Sequence, residues 1–173
     1  AADFDDPEDS AKLRQLADDI ANVRVEGKDV PVKLRVYESL FVPMAKWSML
    51  LTGNYRCVLP HSVQSIHDAV HGDIDQASTM YAWVDSLAQK LGASPDDMVP
   101  FEKYANAALS LMKPSSAARA IDGGVSQIER VDRLVQTIGQ NLGMVNDTVD
   151  TIVNTVDTRL EENRVPVRMS KTG

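Results

Sequence analysis

The sequence predicts an all-α domain of about six to seven helices. Apolar residues recur at helical spacing in segment after segment of the chain. Glycine, proline and serine stand where these segments begin and end, as residues that cap or stop helices do. No segment shows the alternation of apolar and polar residues that is typical of a half-buried strand. With 173 residues, 43% of them hydrophobic, the chain is long enough to bury one core of its own.

The first part of the chain is expected to hold two helices joined by an extended connector. Asp6 is the predicted N-cap of the first helix and Pro7 its first residue. The connector surrounds Gly27. A long second helix is predicted over 32–51, and Pro43 should bend or divide it. The apolar stripe of this helix would consist of Leu34, Tyr37, Leu40, Phe41, Met44, Trp47 and Leu51.

The middle of the chain predicts three further helices. The first should extend over 62–71 and lead through Gly72 into a second over 74–91, which Gly92 ends. Ser94 is the predicted N-cap of a third helix that continues to about residue 112. Pro95 and two acidic residues in its first turn support this start.

The last part predicts a short helix within 111–124, closed by two glycines, and then two amphipathic helices. The first of these would occupy 127–142 and end at Gly143, and the second follows it to about residue 164. Residues 165–173 are predicted to be a flexible tail. Residues 1–164 would then form a single helical domain.

Composition and charge exclude several classes of function. The net charge is −7 and no run of basic residues occurs, so a nucleic-acid partner is not expected. The acidic N-terminus lacks the pattern of a signal peptide, and no apolar stretch is long enough for a membrane span. Cys57 is the only cysteine, which favours a reducing compartment and hence a cytoplasmic protein.

Two patterns suggest metal sites but are better explained as ordinary helix surfaces. His67 and His71 are spaced like a zinc-binding pair, yet no third ligand follows at a recognisable distance. The acidic residues of the last helix are spread over several turns instead of being gathered in a calcium-binding loop. No metal is expected.

Lys46 and Asn54 form the first informative pattern. They are eight residues apart, so a continuous helix would present both on one side, two turns apart. A lysine on an otherwise apolar helix is a candidate acid or anion-binding group when it finds a partner. Alternatively, its ammonium group extends to the surface and has no such role.

The second informative pattern is the segment 113–119, in which Pro114 stands at a helix start. Ser115 and Ser116 add hydroxyl donors there, and Lys113 or Arg119 adds positive charge. Free amides and the positive end of the helix dipole would favour a bound carboxylate. A plain helix cap with exposed basic residues explains the same pattern.

The segments KWSMLLTGN and KPSSAARAIDGGVSQIERVDRLVQTIGQNLG resemble the C-terminal helical domain of the ketopantoate reductase (2-dehydropantoate 2-reductase) family. This domain is related in fold to the C-terminal domain of 6-phosphogluconate dehydrogenases. The family carries a catalytic lysine followed by asparagines four and eight residues later. Lys46 and Asn54 match the lysine and the second asparagine, and Leu50 occupies the place of the first. Glu129 matches the family's substrate-binding glutamate with a small shift.

The resemblance implies a domain for substrate binding and dimerisation in an NAD(P)H-dependent 2-keto acid reductase of pantothenate biosynthesis. Lys46 would be the catalytic proton donor, and Asn54, Ser115, Ser116 and Glu129 would bind the substrate. NADP would be held mainly by a preceding Rossmann domain, and this chain would be the second half of a longer protein. The alternative that the residues leave open is a non-enzymatic helical module for self-association or partner binding.

Overall fold

The computed structural model describes residues 3–30, 32–37, 39 and 41–164, and these residues are mostly helical. The predicted all-α class is therefore confirmed. The predicted tail over 165–173 lies outside the described residues. Contacts divide the chain into two compact units, Ala1–Met44 and Ala45–Gly173. The prediction of one domain over 1–164 stays a prediction.

The first unit contains a helix and a small hairpin. Helix α1 (Pro7–Asn22) begins as predicted, because the Asp6 side chain accepts a hydrogen bond from the amide of Glu8. Strands β1 (Arg24–Val25) and β2 (Lys28–Asp29) pair antiparallel around Gly27, where the sequence predicted only an extended connector. Glu26 and Gly27 both have positive φ, as a tight type I′ turn requires. The sequence does not predict this hairpin, because each strand has only two residues.

The predicted long helix over 32–51 is wrong in its first half. Residues 32–37 and 39 contain no helix, and Pro43 lies in a short 3-10 helix, Val42–Ala45. Two β-branched valines, Val32 and Val36, weaken helix formation before this point, and a proline inside a helix removes a backbone hydrogen bond. A regular α-helix begins only after Pro43.

The second unit opens with a helix that changes its pitch twice. Helix α2 (Lys46–Met49) continues into a π-helical turn, Leu50–Asn54, and then into a 3-10 turn, Tyr55–Cys57. An isolated bridge between Val58 and Val63 closes the loop that follows. The sequence does not predict these changes of pitch.

Three helices follow, two of them shorter than predicted. Helix α3 (Ile66–His71) begins four residues later than expected, after Ser65 as N-cap, and helix α4 (Ile74–Lys90) ends before Gly92 as predicted. Ser94 does cap a helix, but it is a single 3-10 turn, Pro95–Asp97. Helix α5 (Phe101–Ala108) starts separately, because a proline at position 100 disfavours helical geometry in the residue before it.

The last three helices complete the unit. Helix α6 (Ser116–Asp122) follows Ser115 as N-cap, helix α7 (Val131–Asn141) ends before Gly143, and helix α8 (Asp147–Arg164) extends as predicted. Helix α7 starts four residues later than expected, since residues 125–130 form neither helix nor strand. The main core includes buried side chains from the turns after α2 and from α4, α6, α7 and α8, among them Leu51, Val84, Leu87, Ile121, Val135, Val153 and Val156.

None of the described helices combines the length and the apolar character that a membrane span requires.

A half-buried carboxylate lies between α2 and α4. The hydroxyl of Ser48 donates a hydrogen bond to Asp85, and burial raises the pKa of that carboxyl group while the hydrogen bond lowers it in part. The folded state therefore favours the protonated acid more than the unfolded chain does. Stability from this group is present at low pH and decreases as the pH rises from the ordinary aspartate pKa, about 4, through the raised value.

The first prediction is that Asp85→Asn raises the free energy of unfolding at neutral pH and removes this pH dependence. Asparagine can still accept the Ser48 hydrogen bond without burying a charge. Urea unfolding between pH 4 and pH 8 measures the difference. Asp18→Asn, at an exposed position on α1, serves as the control and should change the pH profile little. A constant difference between Asp85→Asn and the parent protein across this range would contradict the prediction.

Candidate functional site

A tyrosine from α5 packs directly against the π-helical turn after α2. Gly53 has no side chain, and a Cβ atom placed there would lie 1.8 Å from the hydroxyl of Tyr104 and 3.2 Å from a methyl carbon of Ile66. The same hydroxyl donates to the carbonyl of Met49 at 3.2 Å. Helix distortions often occur where a side chain packs into the helix ladder, and π-turns are frequent at functional sites.

This turn determines which side chains share one side of the helix. The amide of Leu50 donates to the carbonyl of Lys46, one α-turn earlier, and the amide of Tyr55 donates to the carbonyl of Leu50 across the wider turn. Lys46, Leu50 and Asn54 therefore follow one another along the same side. The sequence predicted Lys46 and Asn54 on one side of a continuous helix, two turns apart. The helix does continue from one to the other, but through an irregular π-turn.

Ser115 attaches α6 to this turn. Its hydroxyl donates to the carbonyl of Asn54 at 2.8 Å and accepts from the amide of Ala118 at 3.1 Å, and the residue is 3% exposed. Both hydrogen-bonding roles of the hydroxyl are used within the fold. Ser115 thus holds α6 against the π-turn, and its neighbour Ser116 is the exposed serine.

Tyr55 attaches the segment before α7 to the end of the π-turn. Its phenol donates to the carbonyl of Glu129 at 2.7 Å and accepts from the amide of Val131 at 3.0 Å. Burial is the main reason that the pKa of Tyr55 rises to about 12, and the nearby charges of Asp132 and Glu129 raise it further. The phenol therefore stays protonated at neutral pH and acts as a structural clamp.

These attachments form a cleft of about 340 Å³, which we call the first cleft. Its polar side chains are Asn54, Ser116 and Glu129. Its other lining residues are Leu50, Tyr55, Ala117 and Ile128. A concave site with a few polar groups on an apolar lining is the usual form of a small-molecule site.

The structure brings three of the five predicted site residues into this cleft. Asn54, Ser116 and Glu129 line it together, although Asn54 is far from the other two in the sequence. Ser115 is buried and does not line the first cleft. Lys46 is exposed on the neighbouring helical turn and does not line the cleft either. The side chain of Lys46 makes no hydrogen bond or ion pair with any residue that the structure describes.

The residues that shape the cleft are not evident from the sequence. Tyr55 directly follows Asn54, but nothing in the sequence indicates that it contacts residues 129 and 131. Tyr104 and Gly53 are likewise far apart in the sequence. The one available signal was a glycine within a helical stretch, which often marks a close approach by another group.

The histidine pair is engaged within the fold. The Nδ1 atom of His67 lies 3.0 Å from a carboxylate oxygen of Asp68, and the Nε2 atom of His71 donates to the carbonyl of Ala105 at 2.9 Å. Within 3–164, apart from positions 31, 38 and 40, no three histidine, cysteine or acidic side chains are grouped to hold a metal ion.

The described residues lack the glycine-rich turn between a strand and a helix that usually binds a dinucleotide cofactor. The strands among the described residues are the two short ones of the hairpin, and no glycine-rich turn leads from either into a helix. The described residues therefore do not form a Rossmann-type site for NADP.

In comparisons with known proteins, no family model, curated protein or solved structure matches the chain.

Proposed function

We propose that this chain is the substrate-binding and catalytic-lysine domain of an NAD(P)H-dependent 2-keto acid reductase similar to ketopantoate reductase, with the related helical fold of 6-phosphogluconate dehydrogenases. The observation that supports it is the first cleft. Asn54, Ser116 and Glu129 line this cleft together, and Lys46 lies one helical turn from its lining residue Leu50.

Each residue has a role that its chemistry allows. Ser116 and the Asn54 amide can donate hydrogen bonds to a substrate carboxylate or carbonyl oxygen. The Lys46 ammonium group is the proton donor to the oxygen that becomes an alcohol. Glu129 accepts hydrogen bonds from hydroxyl groups of the bound molecules. Ser115 positions Ser116 and Asn54 through its own hydrogen bonds.

The remaining parts of the proposal concern partners. NAD(P)H supplies the hydride and is held mainly by a part of the protein outside this chain. We also propose a homodimer in the cytoplasm. Exposed apolar side chains such as Leu134 on α7 and the single cysteine support these two points.

The second prediction tests the role of Lys46 in a protein that includes the proposed cofactor-binding part. Lys46→Ala is expected to lower kcat for 2-keto acid reduction by about 100-fold or more, because a general acid is lost. Oxidation of NADPH or NADH against a panel of 2-keto acids gives the rates. Lys90→Ala removes another exposed lysine, at the end of α4, and should leave kcat unchanged. Turnover of the Lys46 variant within a factor of two of the parent rate would contradict the assignment.

A second candidate function is a helical module for self-association without catalysis. The observation that favours it is the position of Lys46, which is exposed and does not line the first cleft. This candidate predicts that no 2-keto acid is reduced with either cofactor, while the mass in solution is that of an oligomer. Both functions predict an oligomer, so the reductase assay, on a protein that includes the proposed cofactor-binding part, distinguishes them.

A further inference from the structure

A second cleft, of about 370 Å³, adjoins the first at Ser116, which lines both. Its lining is largely apolar, with side chains of Ile66, Leu111, Met112 and Pro114. Lys113 and Arg119 also line it. A molecule bound at Ser116 in the first cleft can therefore extend into an apolar space on the other side of this residue.

The wall of the second cleft is held in place by backbone hydrogen bonds. The amide of Ile66 donates to the carbonyl of Lys113 at 3.1 Å, and the amide of His67 donates to the carbonyl of Leu111 at 3.0 Å. Residues 111–113 are thereby fixed to the start of α3. The wall is thus present before any ligand binds, which lowers the entropic cost of binding.

Two large apolar side chains in this wall remain in contact with water. Met112 is 64% exposed and Leu111 is 40% exposed. Adjacent exposed apolar residues in a concave site are typical of a surface that binds an apolar group.

The charged residues that line the two clefts are Lys113, Arg119 and Glu129, and their positive sum favours an acid as ligand. The side chains of Lys113 and Arg119 form no ion pair or hydrogen bond with any described residue, in a chain whose net charge is −7. Two cations without a carboxylate partner attract an anionic ligand and contribute their alkyl stems to the apolar lining.

We propose that the ligand of these adjoining clefts is a carboxylic acid with an extended apolar side chain, bound with its carboxylate at Ser116 and its side chain in the second cleft. This inference rests on the proposed function, because there the ligand is a 2-keto acid. It names the substrate class: straight-chain or aromatic 2-keto acids are preferred over pyruvate.

The third prediction concerns chain length. Each methylene added to the acid should tighten binding by about two- to fourfold until the second cleft is filled, as expected for partial burial of apolar surface. Calorimetry with the whole chain compares butanoate, hexanoate and octanoate, and then 2-oxobutanoate and 2-oxooctanoate. Affinity is expected to rise along each series.

Two variants test whether the dependence of affinity on chain length arises in the second cleft. Met112→Asp places a charge in the second cleft and should weaken octanoate binding by about tenfold or more. Butanoate should be weakened less, since it meets only the repulsion between the two carboxylates and loses no apolar contact. Leu109→Asp is the matched control, since Leu109 is 54% exposed on the same loop but lines neither cleft. Circular dichroism verifies that both variants are folded.

Several outcomes would overturn the inference. These are equal affinity for butanoate and octanoate, no binding of octanoate at millimolar concentration, or equal weakening by Met112→Asp and Leu109→Asp. The binding measurements also separate this inference from the proposed function. If affinity depends on chain length but no reductase activity is found, the proposed function is contradicted and the inference is not. If keto acids are reduced equally well whatever their chain length, the inference is contradicted and the proposed function is not.

Discussion

Gly53→Ala is expected to lower the free energy of unfolding by about 3 kcal/mol or more. The new Cβ atom would lie 1.8 Å from the hydroxyl and 3.1 Å from the ring of Tyr104, so either the tyrosine or the π-turn must move. Movement of Tyr104 would break its hydrogen bond to the carbonyl of Met49 and disturb its stacking on Tyr81. Urea unfolding followed by circular dichroism measures the loss.

A double-mutant cycle shows whether this contact is the cause. Tyr104→Phe removes the hydroxyl, and the double variant should be less destabilised than the sum of the two single variants, because the worst clash is absent. Additive effects, or a loss below about 0.5 kcal/mol for Gly53→Ala, would contradict the role given to the insertion. The π-turn also carries Asn54, so we expect Gly53→Ala to weaken ligand binding in the first cleft.

Arg159→Ala is expected to destabilise the second unit by about 3 kcal/mol. The guanidinium of Arg159 donates to the carbonyls of Leu59 and Ser62 at 2.8 and 2.9 Å and to the carboxylate of Asp122 at 3.1 Å. Its side chain is 10% exposed. Removing it leaves two backbone carbonyls without this donor, and the cost of such unsatisfied groups is about 1 to 3 kcal/mol each.

The matched control is Arg164→Ala at the end of the same helix. Arg164 pairs with Glu161 at 2.8 Å, but both side chains are more than half exposed. An exposed pair contributes between about 0 and 1 kcal/mol, so this variant should unfold almost as the parent does. Hydrogen exchange adds a local readout: Arg159→Ala should increase exchange at residues 59–63. Equal destabilisation by the two variants would show that the buried hydrogen bonds of Arg159 contribute nothing beyond its charge.

The sequence by itself determined the helical class and several helix ends of this protein. Repeated apolar spacing predicts helices, and capping at Asp6 and stopping at Gly92 and Gly143 depend on residues only a few positions away. Asn54 and Ser116 were also identified from local patterns, and the structure places both in one cleft. Such features depend on residues that are close together in the sequence.

Tertiary structure alone decided the pitch of the helix that carries Asn54 and the shape of the cleft around it. The π-turn packs against Tyr104, and the phenol of Tyr55 holds the wall at Glu129, so each contact requires two segments that are distant in sequence to meet. Local periodicity contains no information about which distant side chain will fill the space beside a glycine. The same holds for Lys46: its spacing predicted the side of the helix on which it lies, but only the packed structure shows it exposed beside the cleft.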